Sequence, residues 1–267
     1  MRRGGKRGAP RVLFTGAWPT SVHGWDPVWR ELESEHELLA LDLPGFGRSE
    51  PHRDGMSPRA LARVLGRFLR ALDFEDAHGV FPDVGVPLGL ALLRQGEGSL
   101  RGATLANGPM TYPLSASWGL RVLIGSALVR RATARAPDLF VDQALRQGYA
   151  RARPTAELAE TYRDCYRGGR LAGSLAYLAS YERELGAIVE DAAQITAPIT
   201  ILWGKRDPFL HADNATTLAA RLPHARQEWL PEAGHLSHED EPEAFVNAVR
   251  SQTANRPRAR SIPTHGA

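Results

Sequence analysis

The sequence contains a single cysteine, Cys165, so an internal disulfide framework is excluded. That residue sits in a helical-looking segment beside Tyr162 and Tyr166 and reads as buried packing rather than chemistry. No apolar run approaches the roughly 18–20 residues that span a bilayer. The basic N-terminus lacks the apolar stretch of a secretion signal, which makes a cytoplasmic location the expectation. There is no metal-ligand cluster, no P-loop and no dinucleotide glycine fingerprint, so neither metal nor cofactor is expected.

Acidic residues are missing from both ends of the chain. Residues 1–10 carry Arg2, Arg3, Lys6 and Arg7, and residues 251–267 carry Arg256, Arg258 and Arg260, without one Asp or Glu. Setting these segments aside leaves 26 basic against 30 acidic residues, so the formal charge of +3 comes from the ends. The body has no basic stripe of the kind that tracks a nucleic acid. The expected partner is a small-molecule substrate, with no nucleic acid and no membrane. Rich in Gly, Pro, Ser and Arg, residues 1–10 and 253–267 read as disordered tails.

What remains is ordinary for a globular enzyme: 267 residues, 43% hydrophobic and 24% charged, enough for one large domain with an inserted subdomain. The run at 11–15 (RVLFT) reads as a buried strand, followed by a helix around 25–33 and a strand at 36–42. Ser57 as N-cap and Pro58 at the first helical position open the next helix. Its Leu61, Val64, Leu65, Phe68, Leu69 and Leu72 recur at the spacing of one helical face. A strand near 78–82, a helix from about 84 to 94 and a strand at 103–107 continue the alternation. It stops at 109–194, where the pattern is helical, and resumes with a strand at 199–203, a helix near 212–221, a strand at 227–230 and a helix at 242–250.

Such alternation with short connections implies a parallel sheet with right-handed crossovers. The expected fold is therefore α/β, with a mostly parallel sheet of about six strands flanked by helices. Its core is residues 11–108 and 195–252, and residues 109–194 form a helical cap over the strands' carboxyl ends, where open α/β sheets bind ligands.

Three windows carry candidate chemistry. Asp83 ends a strand in VFPDVGVPLGLAL, with Gly85 two residues on and a helix behind, as a nucleophile elbow requires. Helix capping alone also explains an Asp at that place. Asp207 follows a strand in WGKRDPFLHAD, where Asp-Pro turn chemistry serves equally well. His235 lies in the loop of LPEAGHLSHEDEPEAF, and a lone loop histidine is commonly a surface residue. Taken together, all three stand after strands in the order nucleophile, acid, histidine. The 28 residues from Asp207 to His235 leave room for one helix and one strand.

With these residues the chain resembles the epoxide hydrolase and haloalkane dehalogenase branch of the α/β-hydrolases over roughly residues 11–250. The matching positions are Trp18-Pro19, the loop Asp42-Leu43-Pro44-Gly45-Phe46-Gly47-Arg48-Ser49, Asp83, Asp207 and His235. Gly16-Ala17 replaces the family's His-Gly pair, Val86 stands where a second small residue is common after the elbow, and Pro82 precedes Asp83. With only ten residues before the first strand, the family's N-terminal hairpin is expected to be absent.

The resemblance implies that Asp83 attacks a saturated carbon to give an alkyl ester. A carboxylate of reference pKa about 3.9 is already ionised at neutral pH and needs no base for that attack. His235, oriented by Asp207, would then deprotonate the water that hydrolyses the ester. The backbone N–H groups of Trp18 and Val84 are the implied oxyanion hole. Family dehalogenases place a halide donor directly after the nucleophile, where this chain has Val84. Family epoxide hydrolases protonate the opening ring with cap tyrosines, for which Tyr177 and Tyr181, spaced i and i+4, are the preferred pair. An epoxide or similar electrophilic carbon is the expected substrate, a haloalkane the alternative. A different class is also open: a non-hydrolytic small-molecule binder, or a lyase or isomerase, on the same scaffold.

Overall fold

The protein is described here by a computed structural model covering residues 1–53, 55–96, 100–222 and 224–254. Its strands are β1 (Arg2–Gly5), β2 (Arg11–Thr15), β3 (Glu37–Leu41), β4 (His78–Pro82), β5 (Gly102–Ala106), β6 (Ile199–Gly204) and β7 (Ala225–Leu230). They form one sheet in the order β1-β3-β2-β4-β5-β6-β7. Every pairing is parallel except that of β1 with β3.

The interior strands have few exposed positions because both faces are covered. Alternate residues go to opposite layers. Val12, Phe14, Leu38, Ala40 and Val80 meet helices α1 (Asp26–Leu32) and α12 (Pro242–Thr253) through Val28, Trp29, Phe245 and Val249. Leu13, Leu39, Phe81 and Ile201 face the layer built by α2 (Pro58–Ala71), α3 (Gly85–Gln95) and α10 (Asp213–Arg221). The start of α2 is as expected, with the Ser57 hydroxyl accepting from the Ala60 N–H and Pro58 in the first turn.

Two expectations need correction. Residues 2–5 are no loose tail: they form β1, pairing antiparallel with β3 in the register Arg2 with Ala40 to Gly5 with Glu37. The sheet therefore has seven strands rather than about six. Arg3 pairs with Glu37 at 2.7 Å, and Arg2 pairs with Asp26 at 2.6 Å while lying over the Trp29 ring. Arg-Arg-Gly-Gly has low strand propensity and no alternation. Backbone bonds to an edge and remote acids hold it, and neither is visible locally. Of the C-terminal tail, Thr253 closes α12 and residues 255–267 lie outside the described residues.

Between β5 and β6 the chain adds six α-helices: α4 (Trp118–Gly125), α5 (Ala127–Thr133), α6 (Pro137–Gly148), α7 (Ala156–Tyr166), α8 (Arg170–Ala179) and α9 (Tyr181–Asp191). Cys165 of α7 is buried and unbridged, and burial pushes its thiol up. Among the described residues no helix is long and apolar enough to cross a membrane, and no group of three or more His, Cys, Asp or Glu side chains fits a metal ion.

Candidate active site

The sharp turn between β4 and α3 holds Asp83 at φ +47°, a left-handed conformation that costs a non-glycine residue energy. Gly85 makes the turn possible, since a Cβ there would come within 2.6 Å of Thr15 Oγ1. Val86, the larger residue of the elbow, fits because Gly108 faces it: a Cβ on Gly108 would lie 2.4 Å from Val86 Cγ2.

Asp207 follows β6, and His235 lies in the loop that joins β7 to the short helix α11 (Ser237–Asp240). The three side chains meet. His235 Nδ1 lies 2.8 Å from Asp207 Oδ2, and His235 Nε2 is 3.5 Å from Asp83 Oδ1. Asp83 Oδ2 accepts the backbone N–H of Trp18 at 2.8 Å. Asp207 is fixed by donors, with Oδ1 taking the N–H groups of Phe209 and Leu210 and Oδ2 taking Asn107 Nδ2 at 2.9 Å. Burial works against a charged His235, but the carboxylates of Asp207 and Asp83 outweigh it and raise the imidazole to about 10.

Of the residues chosen for an oxyanion hole, Trp18 points its N–H at Asp83. Val84 follows Asp83 in the turn, and its carbonyl accepts the Tyr177 hydroxyl at 2.8 Å. That bond occupies Tyr177, which does not line the cavity beside Asp83. Tyr181 does line it, and its buried hydroxyl has no partner. The tyrosine pair separates into one residue that braces the elbow and one with a free phenol. The Trp18 indole N–H donates to Ser174 Oγ at 2.9 Å, which commits it to α8.

The cavity has a volume of about 550 Å³. Its walls are mostly apolar, including Leu114, Leu120, Ile124, Phe140 and Leu178, and among the described residues no Arg or Lys lines it.

Sequence reasoning missed three supporting residues. Asn107 closes β5 at φ +40° and bonds both Asp207 and the backbone N–H and C=O of Gly204. An Asn directly after a strand and before Gly108 was its only local signal, since Asn tolerates left-handed backbone. Asp240 accepts the N–H groups of Gly234, Ala150, Arg151 and Ala152, which binds the His235 loop to the insertion. Glu239 accepts the hydroxyls of Tyr149 and Tyr162, and burial, exceeding the effect of those two donors, lifts its carboxyl to about 7. Both acids stand in the run after His235, which reads locally as a solvated helix start. The missing His-Gly anchor has a counterpart in Asp42, whose carboxylate takes the N–H groups of Val22 and Arg48 and so ties two loops together.

Sheet order, elbow and the late acid and histidine together define the class: the chain belongs to the alpha/beta hydrolase fold family, whose profile matches residues 10–242. Its relatives are named hydrolases. It is 27% identical over 254 residues to a 2-hydroxy-6-oxononadienedioate/2-hydroxy-6-oxononatrienedioate hydrolase of Cupriavidus pinatubonensis, covering 89% of this chain and 84% of that protein. It is 26% identical over 259 residues to haloalkane dehalogenase 2 of Mycobacterium tuberculosis, covering 90% and 86%. Among solved structures, an ancestral haloalkane dehalogenase superposes with a TM-score of 0.80 at 23% identity, over 95% of this chain and 94% of that one. The haloalkane dehalogenase DbeA from Bradyrhizobium elkani gives 0.80 at 21%, over 95% and 92%. At these identities the structural likeness shows the fold.

Proposed function

We infer that the protein is a cofactor-independent hydrolase that opens a neutral epoxide, or a similarly electrophilic carbon, through an ester on Asp83. The observation that carries this reading is the Asp83 carboxylate itself. One oxygen is held by the Trp18 N–H, and the other faces His235 across 3.5 Å at the edge of an apolar cavity. Oδ1 attacks the ring carbon, the C–O bond breaks, and the departing alkoxide takes the Tyr181 proton. Burial, with the nearby Tyr177 and Asp83 adding to it, raises that phenol well above its usual value and keeps it protonated until a strong base forms beside it. Ester formation removes the Asp83 charge. His235 then loses one of the two carboxylates that hold it at about 10, so the imidazolium gives up its proton, and that proton restores the phenol that Tyr181 spent on the alkoxide. The neutral imidazole takes a proton from water, hydroxide adds to the Asp83 carbonyl carbon, and the Trp18 N–H receives the developing oxyanion. Collapse releases the diol, with water supplying the added oxygen and hydrogens.

Haloalkane chemistry, the reading favoured by the dehalogenase relatives, needs side-chain donors aimed at the leaving halide. Here Val84 has none and the Trp18 indole is bound to Ser174. A cavity without Arg or Lys also argues against a dicarboxylate like the one named for the Cupriavidus relative.

Mass spectrometry tests the mechanism. His235→Ala incubated with an epoxide panel should gain the substrate's mass on the peptide containing Asp83, because the ester forms and nothing activates the water. Single turnover of the wild type in labelled water should place heavy oxygen in the Asp83 carboxylate. A variant that never accumulates adduct, with label absent from Asp83, would remove the aspartate mechanism. Rapid chloride release from simple chloroalkanes would reverse the order of substrates.

A further inference from the structure

The rim of the cavity carries large apolar side chains that have nothing to cover them. Trp118, between the lining residues Ser117 and Gly119 on α4, is 74% exposed. Leu139, next to the lining Phe140 and one turn before the lining Gln143 on α6, is 66% exposed. Leu128 on α5, the helix that follows α4, is 76% exposed. Folding alone gives no reason to expose an indole and an isobutyl group beside residues that line a cavity, and exposure of this kind marks a contact surface.

The charges of the segment that carries Trp118 and Leu128 share one sign. Residues 109–137 contain Arg121, Arg130, Arg131 and Arg135 and not a single acid. Arg130 turns its guanidinium to the carbonyls of Leu123 and Ile124 at the end of α4, and Arg135 donates to the Arg131 carbonyl. Among the described residues, Arg121 and Arg131 have no side-chain partner. The acids of α6 are neutralised by partners on α7 and just beyond it, Asp138 pairing with Arg167 at 2.6 Å and Asp142 with Arg163 at 2.8 Å. Arg146 of α6, one turn beyond Asp142, donates to Gln143 of the cavity wall. The Glu182 carboxylate lies 3.6 Å from where a Cβ on Gly125 would stand, at the end of α4 away from Trp118.

We propose that this rim docks on an anionic phospholipid surface, with Trp118, Leu128 and Leu139 seated among the headgroups and Arg121, Arg131, Arg135 and Arg146 meeting the phosphates, so that the cavity mouth opens onto lipid. Trp favours the membrane–water boundary, where an apolar ring and a polar N–H are both accommodated. A protein face combining apolar and basic groups binds such a boundary peripherally, without a spanning helix. The absence of a spanning segment, which led the sequence reading to expect no membrane partner, does not bear on such a contact. The proposal does not depend on the reaction assigned to Asp83.

Flotation with vesicles tests it, using phosphatidylcholine alone and phosphatidylcholine with about one third phosphatidylglycerol. The wild type and Asp83→Asn should both float with the anionic vesicles, remain behind with neutral ones, and be released as salt shortens the range of the charges. A W118S/L139S double variant should partition at least about tenfold less. Arg121→Glu with Arg131→Glu should weaken binding by more than about 25-fold, from roughly fivefold per arginine removed. These positions are exposed, so unchanged circular dichroism is expected and separates lost docking from lost folding. Absence of flotation with either vesicle would overturn the proposal. So would undiminished binding by the double variant, or self-association that the double variant abolishes, which would make a second copy of the chain the occupant.

Discussion

The two halves of the site are built differently. On the sheet side, Asp83, Asp207 and His235 stand at strand ends, and Asp207 alone receives Asn107, Phe209, Leu210 and His235. On the side of the inserted helices the walls are mostly apolar, and one unpaired phenol, Tyr181, is the polar group nearest in kind to a catalytic acid. Strand ends are held by a ladder on both sides, so they fix atoms to the tolerance that bond making requires. Helices meeting through apolar side chains can change shape with less penalty, which suits them to choosing the substrate.

The sharpest way to break this comparison is at its rigid half. Asp83→Asn should lower epoxide turnover by about 10⁴-fold or more, the scale for a member of a catalytic triad. Initial rates within about tenfold of wild type would show that the carboxylate is not the attacking group. On the helical side, Tyr181→Phe should cut turnover by about 10²-fold, as expected for loss of a general acid. Stopped-flow measurement should assign that loss to ester formation and leave ester hydrolysis nearly unchanged.

Glu239 joins the halves and sharpens the contrast through pH. Its carboxyl is held up at about 7 against an ordinary value of 4.5, so the folded state keeps a proton that the unfolded chain has released. Stability should fall as pH rises from about 4.5 through about 7, by an amount on the order of a few kcal/mol. Urea titrations of Glu239→Gln across that range should lose this slope while keeping an acceptor for Tyr149 and Tyr162.

Two smaller effects concern supports. Removing residues 1–9 deletes β1 and the Arg3–Glu37 pair, and should lower the melting temperature by several degrees, at about 2–4 °C per kcal/mol. An unchanged midpoint would return that segment to the status of a tail. Tyr177→Phe should cost about 1 kcal/mol of stability for the lost bond to Val84, with turnover falling much less than in Tyr181→Phe. Equal kinetic losses in the two variants would make the tyrosines a working pair after all.

Most of the parallel sheet could be read along the chain. Runs such as ITILW at β6 and the face of α2 repeat at the period of their element, and the end of a strand is where a short loop must turn. Asp83, Asp207 and His235 were legible for the same reason, since each follows a strand. Asn107, Asp240 and Glu239 were not. Their partners are 77–100 residues away apart from Gly234, and a side chain that bonds a distant N–H or hydroxyl looks locally like any polar loop residue.

The sequence by itself determined the α/β alternation, the helical insertion and the order of the three candidate catalytic residues, because these follow from periodicity and turn chemistry within short windows. Only the tertiary structure decided that Arg2–Gly5 is a strand and that Tyr177 braces Val84 while Tyr181 keeps a free hydroxyl. It alone gave the Trp18 indole to Ser174 and left Trp118 and Leu139 uncovered at the rim. Each of those outcomes depends on which groups meet across the fold. Two tyrosines four residues apart on neighbouring helices look alike in the sequence, and one carbonyl oxygen within 2.8 Å gives them different roles.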